Sequence, residues 1–228
     1  MQQQILDQLL KDRAGKRAVA LATNLTTGRE ELFYPSSAPQ SALEQQVNDA
    51  LREDKARTVE TPEGELFINV FNPPLRLLIA GAVHIAQPLA RMAALAGYDV
   101  TIIDPRRAFA TAERFPGVAL LTEWPDAGVA ELRPDARTAI VTLTHDPKLD
   151  DAALSTALNS NSFYIGCLGS KKTHAARLER LRMAGFDAAA LARIHGPVGL
   201  AIGAKSPAEI AISIMAQMTS ILRGGAVS

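Results

Sequence analysis

From Leu75 onward, short apolar runs alternate with segments whose apolar residues recur at helical spacing. The runs fall near residues 75 to 80, 98 to 103, 117 to 121, 137 to 143 and 162 to 166, and the helical patterns near 84 to 96, 107 to 114, 149 to 159, 171 to 184 and 207 to 222. Strand, helix, strand repeated in this way predicts a parallel sheet with crossover helices on its faces. The last helix has the clearest start: Ser206 stands at the cap, Pro207 at the first helical position and Glu209 at the third, a capping-box pattern. Before Leu75 the pattern differs. It predicts a helix over Gln4 to Arg13, a strand over Arg17 to Thr23, a turn at Gly28 and a return strand over Leu32 to Tyr34. A loop over Pro35 to Pro39, a helix over Ser41 to Lys55 and a strand over Glu65 to Phe71 follow, ending at Pro73-Pro74. The fold class expected is α/β: a Rossmann-like, doubly wound parallel sheet over residues 73–228 behind a small α+β unit over residues 1–72.

Composition narrows the partners. At 228 residues and 47% hydrophobic, the chain can bury one substantial core plus a small appended unit. Lys+Arg and Asp+Glu are equal at 24 each, so no overall field attracts nucleic acid or an anionic membrane, and anion recognition has to be local. The single cysteine, Cys167, excludes an internal disulfide and any Cys-rich metal or iron–sulfur site, which suits a reducing compartment. Residues Met1 to Asp7 lack the basic-then-apolar order of a signal peptide, and no apolar run approaches the roughly 20 residues that span a bilayer. The location expected is the cytoplasm, with neither a membrane nor a nucleic acid as partner.

The candidate chemistry starts where the first apolar run breaks at Gly81-Ala82-Val83-His84-Ile85-Ala86 and restarts as an amphipathic helix. Asp104 closes the next run. This is the outline of a dinucleotide-binding βαβ unit, in which a diphosphate approaches backbone N–H groups at a helix N-terminus and an acid reaches a ribose hydroxyl. Val83 stands where that fingerprint has its second glycine, and its side chain would crowd a closely bound pyrophosphate. In such a sheet, ligands bind beyond the carboxyl ends of the strands where the winding reverses, here between the first and fourth runs. The loop after the fourth run is Thr144-His145-Asp146-Pro147, so His84 and His145 are expected to flank one crevice. The plain structural alternatives are that Asp146 caps the helix near Leu149 and that His84 bonds a backbone carbonyl. A third loop, Gly166-Cys167-Leu168-Gly169-Ser170-Lys171-Lys172, opens a helix with glycines, a hydroxyl and two cations, which suits a phosphate; it lacks P-loop spacing, and its lysines also fit a solvated helix face. Arg106 and Arg107 could meet a phosphate on the ribose side, and Gly203, in the glycine-punctuated stretch from His195 to Ala204, is expected near the mouth. No Ser/His/Asp nucleophile pattern, zinc spacing or pair of general acid and base carboxylates is present, and His84, His145 and Asp146 are not spaced as metal ligands, so no metal site is expected.

Taken together, Gly81 to Ala86, Asp104-Pro105-Arg106, Phe109-Ala110-Thr111 with Glu113 to Pro116, Thr144-His145-Asp146, Tyr164 to Lys171, and Pro197 to Ala204 with Pro207 to Ala211 resemble the XdhC/CoxI family of xanthine dehydrogenase accessory factors. The resemblance covers about residues 66 to 223 in unbroken order. It implies a Rossmann-like domain in a protein that binds molybdenum cofactor (molybdopterin), protects it during maturation and delivers it to a molybdenum hydroxylase such as xanthine or carbon monoxide dehydrogenase. A cysteine desulfurase is a second implied partner, and a homodimer is left open. The cofactor-binding residues expected are Gly81, Ala82, Val83, His84, Ile85, Asp104, Arg106, Thr144, His145, Asp146, Gly169, Ser170, Lys171 and Gly203. The chain departs from the family at Val83, which replaces the second glycine of a Gly-x-Gly-His pattern, and it shows neither the Gly-Ser-x-Pro-Arg-type loop nor the Gly-Gly-x-x-Glu-type segment before Pro73. It is expected to be a short, divergent member. Two other readings stand beside this one: an NAD(P)-dependent oxidoreductase using the βαβ unit, and a non-catalytic scaffold relative.

Overall fold

Two consecutive prolines, Pro73 and Pro74, mark the boundary between two compact units in the computed structural model of the chain, which describes residues 2–225. In the first unit, β1 (Val19–Asn24), β2 (Glu30–Phe33), β3 (Arg57–Thr61) and β4 (Gly64–Phe71) form an antiparallel sheet in the order β2-β1-β4-β3, accompanied by α1 (Gln3–Ala14) and α2 (Ala42–Glu53). The period of two along β1 and β4 puts Ala20, Ala22 and Ile68 on one face, where they bury against Val47, Ala50 and Leu51 of α2. Ser41 caps α2 by accepting from the Glu44 N–H at 3.1 Å. Strand β3 is not evident in the apolar pattern, because Arg57-Thr58-Val59-Glu60-Thr61 holds a single aliphatic residue; it is an edge strand whose partner is the β4 backbone.

In the second unit, six parallel strands are β5 (Leu75–Ala80), β6 (Tyr98–Ile103), β7 (Ala119–Leu121), β8 (Thr138–Thr142), β9 (Tyr164–Cys167) and β10 (Ile194–His195), in the order β10-β9-β8-β5-β6-β7. This is the Rossmann arrangement, wound outward in both directions from β5. Both faces are covered, so the central strands are continuous apolar runs. Leu77 and Ile79 point to the side of α3 (Ala86–Leu95) and α8 (Pro207–Arg223). Leu78 and Ala80 point to the side of α4 (Pro125–Glu131), α5 (Pro147–Leu158) and α6 (Lys171–Met183). The capping box at Ser206 and Glu209 is formed, and Pro207 opens α8.

In this unit residues 107–114 and α4 depart most from the sequence pattern. Residues 107–114 are a series of turns rather than a helix, because arginines rather than helical packing organise them. Arg114 Nη1 donates to the carbonyls of Ala82 and Phe109 at 2.8 and 2.6 Å, and the Arg106 guanidinium lies 4.5 Å from the centre of the Phe109 ring. Helix α4 carries no clear signal, being seven residues long with Gly128 inside it. The glycine is a packing requirement: a Cβ there would come within 2.6 Å of Ile103 Cγ2 on β6. A four-residue helix, α7 (Ala188–Leu191), leads into β10.

Candidate functional site

The carboxyl ends of β6, β5, β8 and β9 lie side by side, and polar contacts link the loops that follow them. At the β5 end, the Gly81 N–H donates to the Ile103 carbonyl at 2.9 Å, and Gly81 adopts φ +117°. A Cβ at Gly81 would lie 2.7 Å from Thr144 Cγ2, so the absence of a side chain lets the β5 and β8 loops touch. Val83 packs against the apolar core of the α3 side and is half-buried, while His84 is exposed. The side chain expected to crowd a pyrophosphate is therefore committed to the core. Ile85, the residue before α3, also packs on that core and offers no side-chain cap to the helix.

Asp104 is wholly buried and has its oxygens taken by its own chain. Its Oδ2 accepts from the Ala82 N–H and Arg106 Nη2, each at 2.8 Å, and its Oδ1 from the Arg106 N–H and Nε, each at 2.9 Å. Burial opposes ionisation, but the Arg106 guanidinium and the two backbone N–H groups outweigh it and hold the carboxyl below its ordinary value. In this arrangement Asp104 ties the β6 end to the β5 turn and presents no free lone pair to a ribose, so sugar recognition by this acid requires Arg106 to swing away.

The β8 loop is organised by Asp150, which lies in the first turn of α5 and is fully buried. Its carboxylate accepts from Thr144 Oγ1 at 2.7 Å, from the Thr144 N–H at 3.2 Å and from the His145 N–H at 3.1 Å. Those bonds hold His145 in a left-handed conformation, φ +61°, with its ring exposed. Burial pushes the Asp150 carboxyl above its usual range despite these donors and the charge of Arg177. Asp146 caps α5 by accepting from the Lys148 N–H at 2.9 Å, the plain structural role that its position before the helix allows. At the β9 end, the Leu168 N–H donates to the Thr142 carbonyl at 2.9 Å and Ser170 caps α6 by accepting from the Thr173 N–H at 3.1 Å. Lys171 and Lys172 are exposed. Cys167 is buried against Thr142 Oγ1, and burial above all pushes its thiol up to about 12, so it is protonated and out of reach of a substrate.

Gly81, Ala82, Asp104, Arg106, Thr144, His145 and Asp146 thus fall within one chain of contacts across the β6, β5 and β8 ends. The β9 loop joins it at Leu168, whose carbonyl accepts from Arg177 Nη2 at 3.1 Å while that nitrogen stands 3.7 Å from Asp150 Oδ2; Gly169, Ser170 and Lys171 follow Leu168 in the chain and share none of these bonds. Gly203 is exposed in the segment before α8 and shares none of these bonds. The stretch before it is fixed in the fold: the Val198 N–H donates to the Cys167 carbonyl at 3.1 Å, the Gly199 N–H to Gln217 Oε1 at 2.9 Å, and the His195 ring stacks on Tyr164 at 5.1 Å. Asp150 and Arg177 belong to this network of contacts without having been singled out from the sequence, and Arg114 was named only within the Glu113 to Pro116 motif. Arg177 left a readable mark, since His174, Arg177, Leu178 and Leu181 share the inward stripe of α6 and a charge on such a stripe needs a partner.

Residues 77–218 match the family model of the XdhC Rossmann domain. The chain belongs to the XdhC family. Its curated relatives include a protein of Bacillus subtilis described as a probable subunit of xanthine dehydrogenase, 34% identical over 75% of this chain and 52% of that protein. Two Escherichia coli proteins are similarly related: the molybdenum cofactor insertion chaperone PaoD, 32% identical over 66% of this chain and 41% of that protein, and the uncharacterized protein YqeB, 33% identical over 68% and 29%. The matched segment thus spans about half or less of the length of these XdhC relatives. Among solved structures, one described as a xanthine dehydrogenase from Bacillus halodurans superposes with a TM-score of 0.70 at 24% identity, covering 97% of this chain and 67% of that one, a likeness of fold. Among the described residues, no helix is long and apolar enough to cross a membrane.

Proposed function

We propose that this XdhC-family chain carries molybdenum cofactor as cargo in the crevice over the ends of β5, β8 and β9, and hands it to a molybdenum hydroxylase. The observation that supports this reading is the meeting of the β5, β8 and β9 loops at the carboxyl ends of neighbouring strands, in a chain whose relatives include a protein named as a molybdenum cofactor insertion chaperone. Loops so placed, each leading into a helix N-terminus, suit a ligand with a phosphate at one end and a polar ring system at the other. The β5 turn and α3 supply N–H groups, the loop over Thr144, His145 and Asp146 supplies polar edges, and Gly169, Ser170 and Lys171 supply an anion seat. Nothing in the arrangement requires a bond to be broken, and the buried, protonated Cys167 fits a carrier better than a covalent catalyst. A cysteine desulfurase acting on the bound cargo is the natural second partner, and the cytoplasm the compartment where these proteins would meet.

The test is delivery. Purified chain is incubated anaerobically with a source of molybdenum cofactor, separated from free cofactor, and added to a cofactor-free molybdenum hydroxylase. Recovery of hydroxylase activity in proportion to the chain added supports the reading, and recovery equal to that from free cofactor alone refutes it. The NAD(P)-dependent oxidoreductase reading retains the βαβ unit in its favour, but the occupied Asp104 leaves it without its ribose acceptor. Turnover of a nicotinamide cofactor by the purified chain would restore it.

A further inference from the structure

In the first unit, α2 covers only part of the sheet face on which it packs. The period of two along the strands puts Phe33, Val59 and Leu66 on the same face as Ala20, Ala22 and Ile68, while α2 buries Val47, Ala50 and Leu51 against it. Beside the helix lies a cavity of about 1000 Å³. Its floor is Ala22, Val59 and Leu66, and Phe33 of β2 and Leu43 of α2 line its sides. Phe33, Leu43, Val59 and Leu66 are only partly buried. Ala42, Leu43 and Gln46 line it from α2 at helical spacing, so the space runs along one side of that helix. An apolar sheet face is ordinarily closed by a packed layer, and here that layer stops at α2.

The charges around the space have one sign in excess. Among the described residues that line it, the carboxylates of Glu31, Glu60 and Glu63 stand against one guanidinium, that of Arg29, and all four side chains belong to exposed residues. The positive end of α2 is answered by its own first turn, where the Glu44 carboxylate accepts from the Gln40 N–H at 2.6 Å. A concave surface with this excess of carboxylates repels a phosphate-bearing ligand and attracts a cationic one. It is therefore a poor seat for the cargo and a good one for a basic partner.

The form of the space selects among basic partners. The inner strands β1 and β4 bond to neighbours on both sides, so the floor presents side chains and has no backbone groups left for an added strand. A helix needs none, because it docks on such a face through its own apolar stripe. At 10–12 Å across, roughly two turns of helix fill about 1000 Å³.

We propose that this cavity is the docking groove for a basic amphipathic helix of a partner protein. The helix lies alongside α2, with its apolar stripe on Ala22, Val59 and Leu66 and its lysines or arginines against Glu31, Glu60 and Glu63. Resting on the carrier reading above, the partner is the hydroxylase that receives the cargo, so the first unit recognises the recipient and the second holds what is delivered.

The test uses the full chain and a synthetic peptide of leucine and lysine, about four helical turns long, with its leucines on one helical stripe. One control peptide has the same composition in shuffled order, and a second has glutamate for every lysine. Expected in ¹H–¹³C methyl NMR are saturable shifts at Ala22, Leu43, Val59 and Leu66, with either control at least about tenfold weaker and affinity falling as salt rises. The exposed triple variant Glu31→Gln/Glu60→Gln/Glu63→Gln should bind the peptide at least about fivefold more weakly. It should take up molybdenum cofactor as the parent does and deliver it more slowly to the cofactor-free hydroxylase. Shifts scattered over the surface, binding indifferent to leucine order or lysine charge, or a triple variant that binds the peptide or delivers cofactor as well as the parent overturns the proposal. Shifts of the same methyls on raising the concentration of the chain alone would make the occupant a second copy and overturn it too. Peptide bound in the groove of a chain that takes up no molybdenum cofactor leaves the groove standing and removes the carrier reading. A chain that takes up and delivers cofactor while its groove takes no peptide does the reverse.

Discussion

Replacing Asp104 with Asn keeps the shape of the residue that joins β6 to the β5 turn and removes its charge. The carboxylate takes hydrogen bonds from the Ala82 N–H and from three groups of Arg106. An asparagine keeps one oxygen, which is expected to turn to the Ala82 N–H because Ala82 is buried and has no water to fall back on. Arg106, with a side chain 37% exposed, then turns toward solvent and recovers part of what it loses. With charged hydrogen bonds contributing about 1.5 to 3 kcal/mol each and that recovery discounted, Asp104→Asn should destabilise the second unit by about 2 kcal/mol. Asp104→Ala leaves the Ala82 N–H unpaired as well and should cost about 3 to 4 kcal/mol. Guanidinium unfolding followed by Trp124 fluorescence measures this, since the only tryptophan of the chain lies in the second unit. The pH dependence adds a second check. Because the folded-state value of Asp104 lies below that of the unfolded chain, its contribution is present above about pH 4 and fades as pH falls through the folded-state value. The gap between parent and Asp104→Asn should therefore be full at pH 7 and narrow toward pH 3. A loss under about 0.5 kcal/mol at pH 7, within the range of ordinary surface substitutions, would refute a structural role for this acid.

Other outcomes follow from the same contacts. Gly81→Ala places a Cβ against Thr144 Cγ2 and forces an alanine to φ +117°, so it should cost about 2 to 4 kcal/mol in the same assay; adding Thr144→Ser removes the clash and should recover only part, because the backbone strain remains. Cys167 should react with a thiol reagent at least about a thousand times more slowly in the native chain at pH 8 than in the denatured one, as expected of a buried thiol raised to about 12; equal rates would contradict the packing against Thr142. Ser206→Ala opens the capping box of α8 and should lower stability by about 1 kcal/mol, with Glu209→Ala no worse than additive to it.

What the sequence reveals here is what short-range periodicity encodes. Alternating apolar runs and helical stripes gave the parallel sheet and its crossover helices, and the cap at Ser206 placed α8 because its signal is local. Elements held by long-range contacts were not legible: α4 packs a glycine onto Ile103, β3 pairs through backbone, and residues 107–114 are shaped by Arg114 reaching Ala82. The site followed the same division. Glycine-punctuated strand ends marked the loops that meet at the carboxyl ends of β5 and β8, whereas most pairing partners were invisible: Asp104 reads as a ribose acceptor until Arg106 is seen to occupy it. Asp150 looks like an ordinary helix charge, and Arg177 is marked only by its place on the inward stripe of α6, until the fold buries both and brings them 3.7 Å apart.

The most direct measurement is of the cargo itself. The chain, incubated anaerobically with molybdenum cofactor and passed through a desalting column, is assayed for bound molybdenum by elemental mass spectrometry and for bound pterin by fluorescence after oxidation. A carrier should retain the two in equal amounts, close to one per chain, and should lose both when Ser170 and Lys171 are replaced by alanine while its unfolding midpoint stays within the range of surface substitutions. A chain that emerges with neither molybdenum nor pterin, or one whose retention is indifferent to Ser170 and Lys171, would contradict the proposed crevice.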